Sequence, residues 1–96
     1  MRKYDVGYIL KPNLESADIK KVIDSFNNIF SSYDSKVIEL KETGLKDLAY
    51  EIDHFKKGYY VWLVVEAAPE AVKEWNRVVR LTENVIRYII VDKEGN

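Results

Sequence analysis

The chain has 96 residues, of which 47% are hydrophobic and 32% charged, with 15 Lys+Arg against 16 Asp+Glu for a formal charge of −1. That length supports one compact core, since domains cluster near about 100 to 150 residues, and the composition is far from that of disordered chains. The charge balance excludes a broadly basic surface for nucleic acid or anionic membrane, and the absence of cysteine excludes a disulfide framework, a thiolate zinc site and a cysteine nucleophile.

Tyr4 to Leu10 alternates as a strand, with Tyr4, Val6, Tyr8 and Leu10 on its apolar side, and Lys11-Pro12-Asn13 stops it. From about Ser16 to Tyr33 the apolar residues Ile19, Val22, Ile23, Phe26, Ile29, Phe30 and Tyr33 recur three and four apart, the stripe of an amphipathic helix. Asn13 and Ser16 are both candidate caps for it. Asp34-Ser35 turns the chain into a second strand, Lys36 to Glu42. Alternation resumes after Thr43-Gly44 through Leu45, Leu48, Tyr50 and Ile52, as one long strand bent or bulged at the glycine would give. The polar stretch Asp53 to Gly58 reads as a turn ending at its glycine. Tyr59 to Glu66 is almost wholly apolar, aromatic and β-branched, which is the pattern of a central strand. Pro69 suits a first helical position, with Val72, Trp75, Val79 and Val78 as the buried stripe, and Thr82-Glu83-Asn84 closes this second helix. Val85 to Val91 is the last strand, and residues 94–96 form a short polar tail after a single domain of residues 1–93.

Strand, helix, strand, strand, helix, strand is the split βαβ order of the ferredoxin-like α+β fold. Right-handed crossovers put both helices on one face of a four-stranded antiparallel sheet, with the first and third strands in the middle. Tyr4, Val6, Tyr8, Leu10, Tyr59, Val61, Leu63, Val65, Tyr88 and Ile90 are assigned to the helix side. Parity then leaves Ile9, Tyr60, Trp62, Val64, Ile89 and Val91 on the helix-free face, beside Asp5, Glu66 and Arg87. So apolar a bare face predicts a protein-partner surface.

Chemistry-bearing residues are sparse. The one histidine, His54, lies in the polar turn without partners around it, Lys57-Gly58 is not a phosphate-binding loop, and the carboxylates from Glu39 to Asp53 interleave with lysines as on a solvated strand. No enzyme activity, metal or cofactor is expected. No apolar run approaches the roughly 18 to 20 residues of a membrane span, and polar Asp5 interrupts any signal-peptide stretch, so a soluble cytoplasmic chain with no membrane partner is expected. Lys57-Gly58-Tyr59-Tyr60-Val61 begins like the stacking strand of the RNA-recognition module. Tyr60, however, takes its small-residue position, and the first strand offers no second aromatic on that face.

Four blocks in order carry a closer resemblance. They are Met1-Arg2-Lys3-Tyr4-Asp5-Val6 through Lys11-Pro12-Asn13-Leu14, then Gly44-Leu45-Lys46-Asp47-Leu48-Ala49-Tyr50-Glu51-Ile52, then Lys57-Gly58-Tyr59-Tyr60, and finally Arg80-Leu81-Thr82-Glu83-Asn84-Val85-Ile86-Arg87. Together, over residues 1 to about 93, they resemble the bacterial small-subunit ribosomal protein six family. The resemblance implies a ferredoxin-like structural component of the small ribosomal subunit. It also implies that the chain pairs with ribosomal protein eighteen and binds the central domain of the small-subunit ribosomal RNA. Asp47 stands where relatives often place a base.

Between Lys73 and Lys93 the chain carries Lys73, Arg77, Arg80, Arg87 and Lys93 against Glu74, Glu83 and Asp92, a local excess of basic residues. Guanidinium forks suit phosphate oxygens. Arg80 and Arg87, matching the family's arginines and flanking the loop with Asn84, are the leading RNA contacts, and Arg2, Lys3 and Lys93 form a second cluster. The chain is expected to be a monomer when isolated and to be located on the ribosome in the cytoplasm. The alternative is a free-standing ferredoxin-like homodimer whose bare faces stack around a small ligand.

Overall fold

The computed structural model describes residues 1–93, and the tail of positions 94–96 lies outside the described residues. Six elements follow in the expected order: β1 (Arg2–Leu10), α1 (Ser16–Ser32), β2 (Lys36–Ile52), β3 (Phe55–Ala67), α2 (Pro69–Leu81) and β4 (Val85–Asp92). The sheet is antiparallel in the order β2-β3-β1-β4, with both helices on one side, the ferredoxin-like arrangement. The side-chain parity of the central strands follows the sequence. Val6, Tyr8, Leu10, Val61, Leu63 and Val65 are buried against the helices, and Tyr4, Tyr59, Tyr88 and Ile90 pack at the core margin.

Trp75 of α2 is fully buried and organises the aromatic centre of that core. Its ring lies 5.7 Å from Phe26 and 5.8 Å from Tyr88, both edge to face, and Tyr8 meets Phe26 edge to face at 4.9 Å. Such pairs add to the area they bury because the positive ring edge meets a negative face. Buried Ser35 joins the two helices: its hydroxyl accepts the Ala68 N–H at 3.1 Å, at the N-cap of α2.

Two local readings are corrected by the backbone. The N-cap of α1 is Glu15, with no side-chain capping bond, so neither Asn13 nor Ser16 serves. The hairpin turn is the two-residue Asp53-His54, both at positive φ (49° and 70°), which matches the right-handed twist of the flanking strands. Gly58 is therefore no turn residue. It lies inside β3, buried, where a Cβ would stand 2.2 Å from the Ile9 Cγ2. The bend foreseen at Gly44 is present: φ is +92°, and the β2–β3 register shifts between Glu42 and Gly44. Further shifts fall between Val37 and Glu39 and between Asp47 and Ile52, where the sequence carries no glycine to mark them.

Helix α1 ends in a Schellman motif, with the Ser35 N–H on the Phe30 carbonyl (2.9 Å) and the Asp34 N–H on the Ser31 carbonyl (3.2 Å), and places Asp34 at φ 55°. Glycine fits that left-handed position without Cβ strain, so Asp34→Gly should raise stability by about 0.5 to 1 kcal/mol in urea unfolding; an unchanged or lower midpoint contradicts this. The Tyr8 hydroxyl is buried without a hydrogen-bond partner among the described residues, and burial, then Glu42 and Tyr59, push its phenol well above the ordinary range. Above about pH 10 the unfolded phenol ionises while the folded one stays protonated, so stability falls as pH rises. Tyr8→Phe should be neutral or stabilising at pH 7 and lose less stability than wild type between about pH 10 and 11, read by denaturant unfolding at each pH.

Candidate functional site: an open apolar sheet face between basic clusters

The helix-free face is built from the other half of each strand's alternation. Trp62 of β3 pairs with Gly7 of β1, which in turn pairs with Ile89 of β4, so these three residues form a row across the sheet. A Cβ on Gly7 would lie 2.6 Å from two Trp62 ring carbons and 3.3 Å from the Ile89 side chain. The bare glycine backbone is what lets the indole lie down on the sheet. Even so Trp62 is 39% exposed, Ile89 52% and Val91 45%, while Ile9, Tyr60 and Val64 are half-buried.

A groove of about 670 Å³ runs over this row, floored by Gly7, Trp62 and Ile89 and walled by Tyr60, Lys41, Lys46 and Arg87. Its hairpin end is closed by the far half of β2, which curls across the sheet. There the Arg87 guanidinium donates to the Tyr50 hydroxyl at 3.1 Å and lies 5.8 Å from the centre of the same ring. Lys41, Lys46 and Tyr50 were not singled out from sequence. Each shift in the β2 register changes which alternate residues face out, from Lys36 to Glu39 and Lys41 and then to Gly44 and Lys46. Only the register reveals the two lysines, while Tyr50 lies in the interrupted stretch between Asp47 and Ile52.

The basic residues divide between the two layers and the two ends of the sheet. Arg2 is ion-paired to Asp92 at 3.3 Å. Lys93 reaches Asp5 at 3.6 Å, and its N–H donates to the Lys3 carbonyl, which brings Lys3 and Lys93 together as the sequence suggested. At the opposite end of β4, Arg80 is exposed on the last turn of α2, with its Nε on the Asn76 carbonyl. Asn84 sits in the following loop, its carbonyl accepting the Lys11 N–H at 2.9 Å, and Arg87 lies on the open face. Arg77 is engaged by Glu74 in a two-bond fork (2.9 and 2.8 Å), which holds the Glu74 carboxyl below its ordinary range. Asp47 on the hairpin arm faces Lys57 at 3.9 Å. His54 is exposed at the turn, and among the described residues no group of three His, Cys, Asp or Glu could hold a metal ion. No helix among them is long and apolar enough to cross a membrane.

The chain is thus a ferredoxin-like α+β domain with an open apolar sheet face and cations at both ends of the sheet. The family model described as Ribosomal protein S6 matches residues 3–92. The chain is 53% identical over 95 residues to the small ribosomal subunit protein bS6 of Onion yellows phytoplasma, covering 98% of this chain and all of that one. It is likewise 53% identical to the bS6 protein of Acholeplasma laidlawii, over 99% of both. The crystal structure of 30S ribosomal protein S6 from Thermotoga maritima shares the fold, with a TM-score of 0.91 at 21% identity over 97% of this chain and 88% of that one. The chain belongs to the ribosomal protein S6 family, a family of structural ribosomal proteins of the cytoplasm and not of enzymes.

The two tryptophans separate the core from the open face. Trp75→Ala should cost about 3 to 5 kcal/mol, as core truncations do, whereas Trp62→Ala should cost the isolated fold less than about 2 kcal/mol. Chemical denaturation of both variants measures this, and equal losses would mean that Trp62 serves mainly as core.

Proposed function

We propose that the chain is a structural component of the small ribosomal subunit, where it pairs with ribosomal protein eighteen through the open sheet face and binds the central domain of the small-subunit ribosomal RNA, aiding assembly. The named relatives support the subunit. The observation that carries the partner reading is the exposure of Trp62, Ile89 and Val91 beside Tyr60, Val64 and Ile9, an apolar surface on one contiguous sheet face. In this reading Arg2, Lys3, Arg80, Asn84, Arg87 and Lys93 contact RNA, and the isolated chain is a monomer. A net charge of −1 gives little counterion release, so RNA binding depends on the paired complex.

Filter binding across a salt series tests this. The isolated chain should barely retain central-domain RNA at physiological salt, while the complex with ribosomal protein eighteen binds it. Arg80→Ala and Arg87→Ala should each weaken the ternary complex and make its salt dependence shallower by up to about one unit per lost phosphate contact. Unchanged affinity and slope in both would leave Arg2, Lys3 and Lys93 as the RNA surface. Trp62→Ala should weaken the protein pair by more than about 1 kcal/mol. Sedimentation as a stable homodimer would favour the small-ligand module instead.

A further inference from the structure

The open face is not electrostatically uniform. At the end where β1 begins, carboxylates have cations beside them: Asp5 pairs with Lys93, and Glu66 lies in register between Lys3 of β1 and Lys36 of β2. The hairpin end is different. Lys41, Lys46 and Arg87 line the groove, and no carboxylate is among its lining side chains. Arg87 is oriented by the neutral Tyr50 hydroxyl and ring, which leave its charge uncompensated.

Covering three cations with a purely apolar partner would strip their water and return nothing, and like charges brought against them would repel. The geometry points to a defined occupant: a protein segment that sets an apolar or aromatic side chain on Trp62 and Ile89 and directs carboxylate groups to Lys41, Lys46 and Arg87. This rests on the reading of the open face as the surface for ribosomal protein eighteen, and it gives the chemistry of the partner segment seated there. A nucleotide also combines a flat ring with an anion. The apolar strip, however, continues past the groove to Val64 and Val91, further than one base reaches, and its aliphatic side chains match a protein segment better than a sugar-phosphate chain.

The test titrates purified ribosomal protein eighteen calorimetrically into the full-length wild type, K41Q/K46Q and K41E/K46E, with a uridine octamer of RNA as a parallel titrant. Lys41 and Lys46 are exposed, and circular dichroism verifies that both variants fold. Expected are a complex weakened about threefold or more by the glutamine pair and more than about tenfold by the glutamate pair, with a shallower salt dependence, and no octamer binding. A complex of unchanged affinity in both variants overturns the acidic-segment proposal alone. Octamer binding that is lost in K41Q/K46Q reassigns the groove to RNA. No complex with wild type overturns the partner reading, and this proposal with it.

Discussion

Right-handed crossovers place both helices of a split βαβ fold on the same side of the sheet, so the central strands can bury only one of their two sets of alternating side chains. In the centre of β3 both sets are apolar, and β1 adds Ile9 to the outward one beside polar Lys3 and Asp5. Val6, Tyr8, Leu10, Val61, Leu63 and Val65 are inside, while Ile9, Tyr60, Trp62 and Val64 have no helix above them. At about 25 cal/mol per Å² of apolar surface, the uncovered set is a standing incentive to associate. The same constraint that builds the core therefore leaves an apolar sheet face uncovered.

The fold softens that incentive internally. Gly7 and Gly58 remove the side chains that would hold Trp62 and Ile9 away from the sheet, so both lie against backbone and lose part of their exposure. The curl of β2 adds a side wall, fastened by Tyr50 on Arg87. These are short-range features with one result: the open face is shaped before any partner arrives, which reduces the ordering cost of binding.

Periodicity made the two helices, β1, β3 and β4 legible, because each presents an uninterrupted period against the core. It also assigned the two faces of the central strands, since neither contains a bulge in its β1–β3 pairing. Strand β2 was legible only as a long bent strand. The first two of its three register shifts change the parity of its outward residues, so Lys41 and Lys46 carry no signal of their place on the face of Trp62. The turn was misplaced for a related reason: glycine is the usual marker of a tight turn, but here Asp53 and His54 accept positive φ, and Gly58 serves space instead. The meeting of Tyr50 with Arg87 spans opposite edge strands and depends on sheet curl, which no local pattern encodes.

Charge placement completes the physical picture. Arg2 and Lys93 already hold carboxylates, at 3.3 and 3.6 Å, in exposed pairs of the kind that contribute little to stability. A phosphate approaching either cation must compete with its carboxylate, so each such contact gains less than one made by an unpaired side chain. Arg80 differs, since its guanidinium rests on a backbone carbonyl of its own helix, and Arg87 differs again, since its partner is a neutral phenol. The two arginines flanking the α2–β4 loop therefore offer the larger electrostatic gain per contact. Arg87 also borders the apolar groove, so an occupant there that kept it engaged would change what it can offer to RNA, and protein pairing and RNA binding would be coupled through a single guanidinium.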